Sequence, residues 1–292
     1  MIYHYTSVDA FQSIMKSYRS SEDKENLVFW ASNILSMNDP TEMQMGFNAI
    51  MKYLPRIEDE LKVVQTKRLS RLTKDYQISE LTEQDSEQIF REKSFNPMFA
   101  PYVLSFSKEK ESIPMWYMYG KGGHGINLYF DEKEINNTKD LLLVDINYHE
   151  DIVGSSYIST IKNVITKQYK NYLEKVDGIN SSYSILLEKI ITIRRICSML
   201  SPFFKNRLFD YENECRVIVY FPTRKINYRY SSKGFLVPYI EQPIPIKSLR
   251  AIGLGPCSNL YGLRQKIRME LDLSILNNEI EIYDSNVPLR DI

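Results

Sequence analysis

The sequence predicts an α+β protein whose β-sheet core carries two helical insertions. Short segments rich in β-branched and aromatic residues occur near both ends of the 292-residue chain and in its middle. Long stretches with helical spacing separate them, and strands dominate again after residue 215. No internal repeat, low-complexity stretch or Pro/Gly/Ser linker divides the chain. We therefore expect one domain over 1–292, with helical insertions at about 43–95 and 151–205.

The strands are predicted where aromatic and β-branched residues cluster between turn residues. The first is "IYHYT", and the stretch "YVLSFS" in the middle of the chain has the same character. Late in the chain, "CRVIVYF" is the strongest such segment. The predicted strands are 2–6, 27–32, 102–107, 126–130, 141–148, 215–221, 226–230, 234–240, 249–255 and 279–284.

The helices are predicted where apolar residues recur at intervals of three and four. The first follows the opening strand, with Ser7 as its N-cap. The polar stretch 43–95 is mostly helical, and we expect an interruption at Pro55. The other predicted helices are a short helix or turn around "PMWYMYG", two amphipathic helices at 151–176 and 182–200, and one at 259–271.

The charge balance gives no global preference for a polyanionic partner. Lys+Arg and Asp+Glu both number 37, although the segments "KNRL" and "PTRKINYRY" leave room for a locally basic face. No apolar run is long enough to span a membrane, and the N-terminus lacks the features of a signal peptide. We expect no membrane contact. The three cysteines contain no Cys-x-x-Cys pair, which favours reduced, buried thiols in a cytoplasmic protein.

The first candidate residue is His4, which lies between two tyrosines in the opening strand. The sequence has only three histidines, so its position there invites a functional interpretation. A partly buried, hydrogen-bonded strand histidine explains the same pattern, and the residues alone leave both interpretations open.

The second candidate is "DYENECRVIVYF", where Glu212 and Glu214 are two residues apart. On a strand this spacing points both carboxylates to one face, together with Arg216. Two adjacent like charges need a cation or a function. One interpretation is a surface Glu–Arg patch; the other is a carboxylate pair that holds a sugar hydroxyl and stabilises developing positive charge.

The third candidate joins Ser107 to the aromatic residues Trp116 and Tyr119, for which ordinary core packing of an aromatic helix is the alternative interpretation. Together they can frame a flat heteroaromatic ring. His124 lies between glycines and is expected to be a solvated loop residue. The segment "GLGPCSN" lacks the third glycine and the βαβ context of a dinucleotide fingerprint.

No metal site is predicted. The sequence has no His-Glu-x-x-His motif, no Walker loop and no acidic cluster of suitable spacing. Asp39 and Glu42 in "NDPTE" suit metal ligation, but a turn with a helix cap predicts the same residues.

Several motifs together resemble a bacterial domain of unknown function family, the one numbered 2971. They are "YHYT", "NDPTE", "SFS", "MWYMY" and "ENECR", and the later "IGLGP" and "VPLR" extend the resemblance from residue 2 to about 290. Each motif is weak alone, whereas their order is specific. The long helical insertions are the least familiar part.

A looser resemblance is to ADP-ribosyltransferases. "NECRVIVYF" looks like the glutamate strand of poly(ADP-ribose) polymerase-like enzymes, and "YHYTS" before a helix looks like the start of DarT-type toxins, which modify DNA. The resemblance implies a split β-sheet core and NAD as co-substrate, bound without a glycine fingerprint. The Tyr119 region has no clean counterpart to the stacking tyrosine of those enzymes.

The resemblance also implies roles for individual residues. His4 would bond a ribose hydroxyl, and Glu214 would bond the nicotinamide ribose and favour an oxocarbenium-like transition state. Glu212 would orient the acceptor or act as a base. Those expected to hold NAD are His4, Tyr5, Thr6, Ser107, Trp116, Tyr119 and Arg216. The hypothesis predicts that His4, Thr6, Ser107 and Glu214 converge on one cleft, with His4 and Glu214 on the same face.

The resulting expectation is an NAD-dependent ADP-ribosyltransferase-like enzyme, a toxin or phage-defence effector that modifies a macromolecular acceptor, nucleic acid or protein. One alternative is an NAD glycohydrolase, with water as the acceptor. A second is a non-catalytic module of the same fold that binds a nucleotide or a partner. A third is a structural or regulatory protein in which the Glu212, Glu214 and Arg216 set is only an ion-pair patch.

Overall fold

The computed structural model describes residues 1–72, 100–149, 152, 157–220, 223–231, 234–258, 260–274 and 280–289. The chain forms two compact units. The first comprises Met1–Ser32, Tyr102–Asp145 and Leu208–Ile292, and the second Asn33–Pro101 and Ile146–Arg207. Both predicted insertions fall within the second unit, although 73–95 lies outside the described residues. The expectation of a single domain stays a prediction.

The first unit is built on a ten-stranded sheet that mixes antiparallel and parallel pairs, as expected for an α+β fold. The strands are β1 (Ile2–Thr6), β2 (Asn26–Asn33), β3 (Tyr102–Ser107), β4 (Ile126–Phe130), β5 (Leu142–Asp145), β6 (Glu214–Val219), β7 (Asn227–Tyr230), β8 (Leu236–Pro245), β9 (Leu249–Leu254) and β10 (Glu281–Asp284). Their order is β10-β9-β4-β1-β3-β2-β8-β7, and β6 pairs with both β3 and β5.

The described helices are divided between the two units. In the first unit they are α1 (Val8–Ser20), α3 (Ile113–Met118), α4 (Glu132–Asn136) and α7 (Leu260–Leu273). In the second they are α2 (Glu42–Glu60), α5 (Ile158–Val176) and α6 (Ser182–Leu200). No helix among the described residues is long and apolar enough to cross a bilayer.

Two local expectations about helices have different outcomes. Ser7 is the N-cap of α1, since its hydroxyl accepts a hydrogen bond from the Ala10 amide at 3.1 Å. The expected interruption at Pro55 is wrong, because α2 continues through it. Pro55 itself is exposed, and the buried stripe that includes Ile50, Leu54 and Ile57 holds the helix together across it.

The register of the central strands defines two faces of the sheet. Directly paired residues point to the same side, and successive residues alternate. Tyr3 pairs with Ser107, Ser107 with Glu214, and Ser105 with Arg216. We call the side that carries these residues the polar face. The opposite side, the apolar face, carries Ile2, Phe106, Leu128, Cys215 and Val217 and forms the main hydrophobic core.

The sheet forks where β1 and β2 meet β3. Both are neighbours of β3, and β6 occupies one edge of β3 from Tyr102 to Ser107, so β1 and β2 share the other edge. At this fork the His4 Nδ1–H donates a hydrogen bond to the Ser105 carbonyl at 2.9 Å. The imidazole therefore satisfies a backbone acceptor in the interior of the sheet.

The cysteines carry no disulfide. Cys197 and Cys215 are buried and Cys257 is half-buried, and all three are free thiols. Burial raises the pKa of both the Cys197 and the Cys215 thiol, so neither is a ready nucleophile.

Candidate active site

The start of β6 brings two carboxylates together, though not as strand spacing predicts. Glu214 opens the strand, whereas Glu212 ends the 3-10 helix Arg207–Glu212. Asn213 between them adopts a left-handed φ of 38°. The direction of the Glu212 side chain is therefore determined by the turn at Asn213, and not by alternation along β6.

Glu214 and Arg216 form a buried ion pair on the polar face. The Arg216 Nε donates to Glu214 Oε1 at 2.6 Å, and Nη2 donates to Oε2 at 2.9 Å. The two side chains are 0% and 3% exposed for Arg216 and Glu214 respectively. The predicted Glu–Arg pairing is present, but it is a core feature rather than a surface patch. Arg216 thus acts directly on Glu214 and is not an exposed cation.

Glu212 has a different partner, Tyr119. The Tyr119 hydroxyl donates to Glu212 Oε1 at 2.8 Å. Burial raises the pKa of Tyr119, and the charges of Glu212 and then Glu214 raise it further. Tyr119 remains a neutral hydrogen-bond donor, and both carboxylates lie close enough to it to influence its ionisation.

Ser107 completes this cluster from the end of β3. Its hydroxyl donates to the Glu212 carbonyl at 2.6 Å and accepts from the Glu109 amide at 3.0 Å. The side chain is completely buried. Ser107 therefore shapes the turns around Glu212, and its hydroxyl is already engaged.

Tyr5 and Trp116 pack behind the cluster. Their rings meet edge to face with centroids 4.9 Å apart, and Trp116 is fully buried. The Tyr5 hydroxyl lies 2.8 Å from the carbonyls of both Glu109 and Lys110. Trp116 presents no exposed ring face in this structure, so the ordinary packing interpretation describes it better than a ring-binding wall.

His4 and Glu214 do not face the same cleft. Alternation along β1 puts His4 and Thr6 on the apolar face, opposite Tyr3 and Tyr5. The His4 ring makes edge contacts with Phe29 and Phe106 at centroid distances of 5.3 and 5.7 Å. The predicted convergence of His4, Thr6, Ser107 and Glu214 is therefore wrong for the first two side chains.

His4 instead has the properties of a structural histidine. Burial lowers its pKa below the ordinary value of 6.5, and the bond to the Ser105 carbonyl opposes this only in part. The neutral ring suits its aromatic surroundings. The hydrogen-bonded strand interpretation therefore accounts for His4.

The "NDPTE" turn is a capping structure. Asp39 Oδ1 accepts from the Thr41 amide at 2.8 Å and from its hydroxyl at 2.6 Å, and Oδ2 accepts from the Asn206 amide at 3.3 Å. Glu42 faces Lys205 at 3.9 Å. In the part of the chain that the structure describes, no group of three potential ligands is arranged to hold a metal.

The glycine segments pack against each other. The Gly255 amide donates to the Gly125 carbonyl and the Cys257 amide to the Gly123 carbonyl, both at 3.0 Å. A Cβ at Gly255 would lie 2.2 Å from the Gly123 carbonyl oxygen, so only glycine fits there. This close approach accounts for the second glycine of "GLGP", Gly255. His124 is exposed, as expected for this loop.

The sequence interpretation missed Asn213. Its backbone carbonyl accepts from the Lys108 amide at 2.8 Å, and its side-chain amide donates to Glu109 Oε1 at 2.7 Å. Asn tolerates positive φ better than most residues, so an Asn between two glutamates was the available signal for a turn there.

The polar face also holds buried atoms without a hydrogen-bond partner. Among the described residues these include Ser105 Oγ, Asn127 Oδ1 and Tyr129 Oη. Buried polar groups are normally paired. The three atoms lie on β3 and β4, the two strands that flank β1 in the sheet.

A comparison with known families supports part of the sequence resemblance. Residues 115–217 match the model of a family described as a protein of unknown function, DUF2971. The matched region runs from α3 to β6 and so includes Tyr119, Glu212, Glu214 and Arg216. No curated protein and no solved structure shows significant similarity to the chain.

Proposed function

We propose that the first unit is an ADP-ribosyltransferase-like enzyme that uses NAD as the donor of ADP-ribose. The observation that carries this proposal is the cluster of Glu212, Glu214, Ser107 and Tyr119 at the ends of β3 and β6. The motif resemblance supplies the reaction class, and no fold or homologue comparison adds to it. His4 and Thr6 lie on the other face of the sheet, so the single cleft that the resemblance implied is absent, and this counts against a transferase of the full pattern. The proposal is therefore restricted to a site built from the carboxylate cluster alone.

Glu214 is the proposed catalytic carboxylate. The reaction breaks the bond between nicotinamide and ribose, and positive charge develops on the ribose as nicotinamide leaves. A carboxylate that is fixed before the reaction stabilises this charge at no cost in reorganisation. Arg216 provides that fixation through its two hydrogen bonds, and we regard it as a positioning residue.

Glu212 is proposed to act on the acceptor side. Its contact with the Tyr119 hydroxyl holds one carboxylate oxygen in place. Glu212 can then orient an acceptor hydroxyl or remove its proton.

The acceptor and the biological setting are parts of the proposal that rest on resemblance alone. We propose a macromolecular acceptor, nucleic acid or protein, and a cytoplasmic toxin or phage-defence effector as the setting. An NAD glycohydrolase differs only in that water takes the place of the acceptor.

A second candidate is a non-catalytic module that binds a nucleotide or a partner. The observation in its favour is that both Glu214 oxygens already accept hydrogen bonds from Arg216 within the core. A carboxylate paired in this way has its charge largely compensated, which weakens its effect on a nearby cationic transition state. Turnover of NAD, measured as nicotinamide release, distinguishes the enzyme from the binding module.

The test is incubation of purified protein with labelled NAD, followed by measurement of free nicotinamide and of label on macromolecules. Glu214→Gln should abolish nicotinamide release, because the charge acts in the transition state. Glu212→Gln should reduce transfer more than NAD hydrolysis. The exposed Glu241 offers a matched control, and Glu241→Gln should behave as wild type.

Stability must be measured on the same samples, since Glu214→Gln also alters a buried pair. Circular dichroism at the assay temperature shows whether each variant is folded. Equal nicotinamide release from wild type and a folded Glu214→Gln variant would remove Glu214 from the mechanism. No release from wild type with candidate acceptors present would leave the binding module as the better description.

A further inference from the structure

The hairpin of β7 and β8 carries an exposed aromatic surface at the edge of the sheet. β7 is the last strand in the sheet order. Tyr228 and Tyr230 on β7, and Phe235 before β8, are 60%, 76% and 68% exposed. Large aromatic side chains exposed side by side on a sheet edge commonly mark a binding surface.

The two tyrosines, Tyr228 and Tyr230, share one side of the hairpin. Tyr228 and Tyr230 are two residues apart on a strand, so their rings project to the same side. They pair with Pro238 and Leu236 of β8. Gln242, four residues beyond Pro238 on β8, is on that side as well, and its Oε1 accepts from the Arg224 Nη1 at 2.7 Å. Arg224 is therefore held on the side of β8 that carries the partners of the two tyrosines, four strand residues from the partner of Tyr228.

The charge of this segment has a single sign. Positions 223–240 contain two arginines, two lysines and no acidic residue. Arg224 and Lys225 are exposed, and among the described residues neither forms a salt bridge. Arg250 and Arg264, elsewhere in the unit, are paired with Asp131 and Asp284. Positions 223–240 are thus locally positive on a chain with no net charge, and the exposed Glu241 that follows them on β8 is on the opposite side of the strand from Pro238, the partner of Tyr228.

We propose that this hairpin surface binds single-stranded nucleic acid. Tyr228 and Tyr230 would each stack against a base, and Arg224 and Lys225 would contact phosphates. Aromatic platforms beside basic residues bind single strands in this way without strict sequence preference. A neutral or basic protein partner would lack the charge complementarity that the segment provides. The inference goes beyond the proposed function, because binding requires no NAD.

The experiment is a fluorescence anisotropy titration of full-length protein against labelled oligo-dT and oligo-U of about 12–16 nucleotides. Replacing both tyrosines by Ala should weaken binding by about tenfold or more, since each stacked base contributes substantially. Replacing both by Phe keeps the rings and should retain near wild-type affinity. Tyr261→Ala is the matched control, because Tyr261 is 75% exposed on α7 and outside the hairpin.

Salt dependence tests the phosphate contacts. Between about 50 and 200 mM salt the wild-type affinity should fall steeply. The double variant Arg224→Gln/Lys225→Gln should reduce the slope of log affinity against log salt by about one to two. An unchanged slope in a variant that binds would exclude the proposed phosphate contacts.

Two results would overturn the inference. One is a folded wild type that binds neither oligonucleotide, or that binds as well after the tyrosines are replaced by Ala. The other is that replacing both tyrosines by Ala abolishes self-association of the protein in analytical ultracentrifugation and leaves oligonucleotide binding unchanged. That result would make the edge an interface between copies of this chain. Nicotinamide release is measured separately, so failure of the enzymatic proposal does not affect this outcome.

Discussion

Arg216 encloses the Glu214 carboxylate with two parallel hydrogen bonds, from Nε at 2.6 Å and from Nη2 at 2.9 Å, in the interior of the first unit. The residues are two apart on β6, so the strand itself sets their separation. A pair of this kind contributes specificity and a fixed charge geometry more surely than stability.

Breaking this pair should be strongly destabilising. Arg216→Met leaves the Glu214 charge buried without its guanidinium partner, and we expect a loss of about 3–5 kcal/mol in the free energy of unfolding. Replacing Glu214 by Leu in the same chain should recover part of that loss. Chemical denaturation measures both. The matched control is Arg250→Met, which removes the more exposed pair with Asp131 and should change stability by about 0–1 kcal/mol. Equal effects in the two would contradict a buried pair.

His4 should make the stability of the protein depend on pH. Its pKa is lowered in the folded state from 6.5, so the unfolded chain binds the proton more readily. The corresponding stability is fully present above the unfolded pKa and is lost as pH falls through the lower folded pKa. His4→Asn removes the titrating group and should lose less stability than wild type between about pH 7 and pH 5. Thermal melts across this range test it, and parallel curves for the two proteins would count against the assignment.

Two adjacent aromatic residues should respond very differently to truncation. Trp116 is fully buried and Tyr117 is 70% exposed. Trp116→Ala should therefore cost about 3–5 kcal/mol of stability, whereas Tyr117→Ala should stay within about 0.5 kcal/mol. Denaturant titration compares them directly. A stable Trp116→Ala variant that specifically loses NAD binding would restore the ring-wall hypothesis.

Asp39→Ala should destabilise the second unit by at least about 1 kcal/mol, because it removes the acceptor for the Thr41 amide and hydroxyl. Added divalent metal should not alter the melting temperature of wild type. Asp9→Ala, at an exposed position in the first turn of α1, is the control and should have a smaller effect. Metal-dependent stabilisation that disappears in the Asp39 variant would instead indicate a ligand role.

The elements were more predictable from the sequence than the site. The bounds 2–6, 102–107 and 126–130 of three strands and 182–200 of one helix agree with the structure, because local periodicity determines them. The side to which His4 points could not be predicted. A one-residue change of register exchanges the faces of a strand, and the register of β1 depends on β3 and β4, more than 90 residues away in sequence.

The contact between Tyr119 and Glu212 was unpredictable for a related reason. It depends on the left-handed Asn213 and on the turn after β3, to which Ser107 and Tyr5 contribute. Motif order drew attention to these residues as a group. Only the long-range pairing of β3 with β6 shows which of them meet.

That pairing also has a consequence for how the chain is made. Strand β3 lies between β1 and β6, and its Ser107 pairs with Tyr3 on one side and Glu214 on the other. When β3 of a nascent chain has just emerged from the ribosome, its neighbour β6 is still missing. About a hundred further residues must be translated before β6 is available. Sheet assembly therefore waits for the last third of the polypeptide, and such distant pairing is slow. Until then the exposed edge of β3 is a point where chaperones or neighbouring nascent chains can bind.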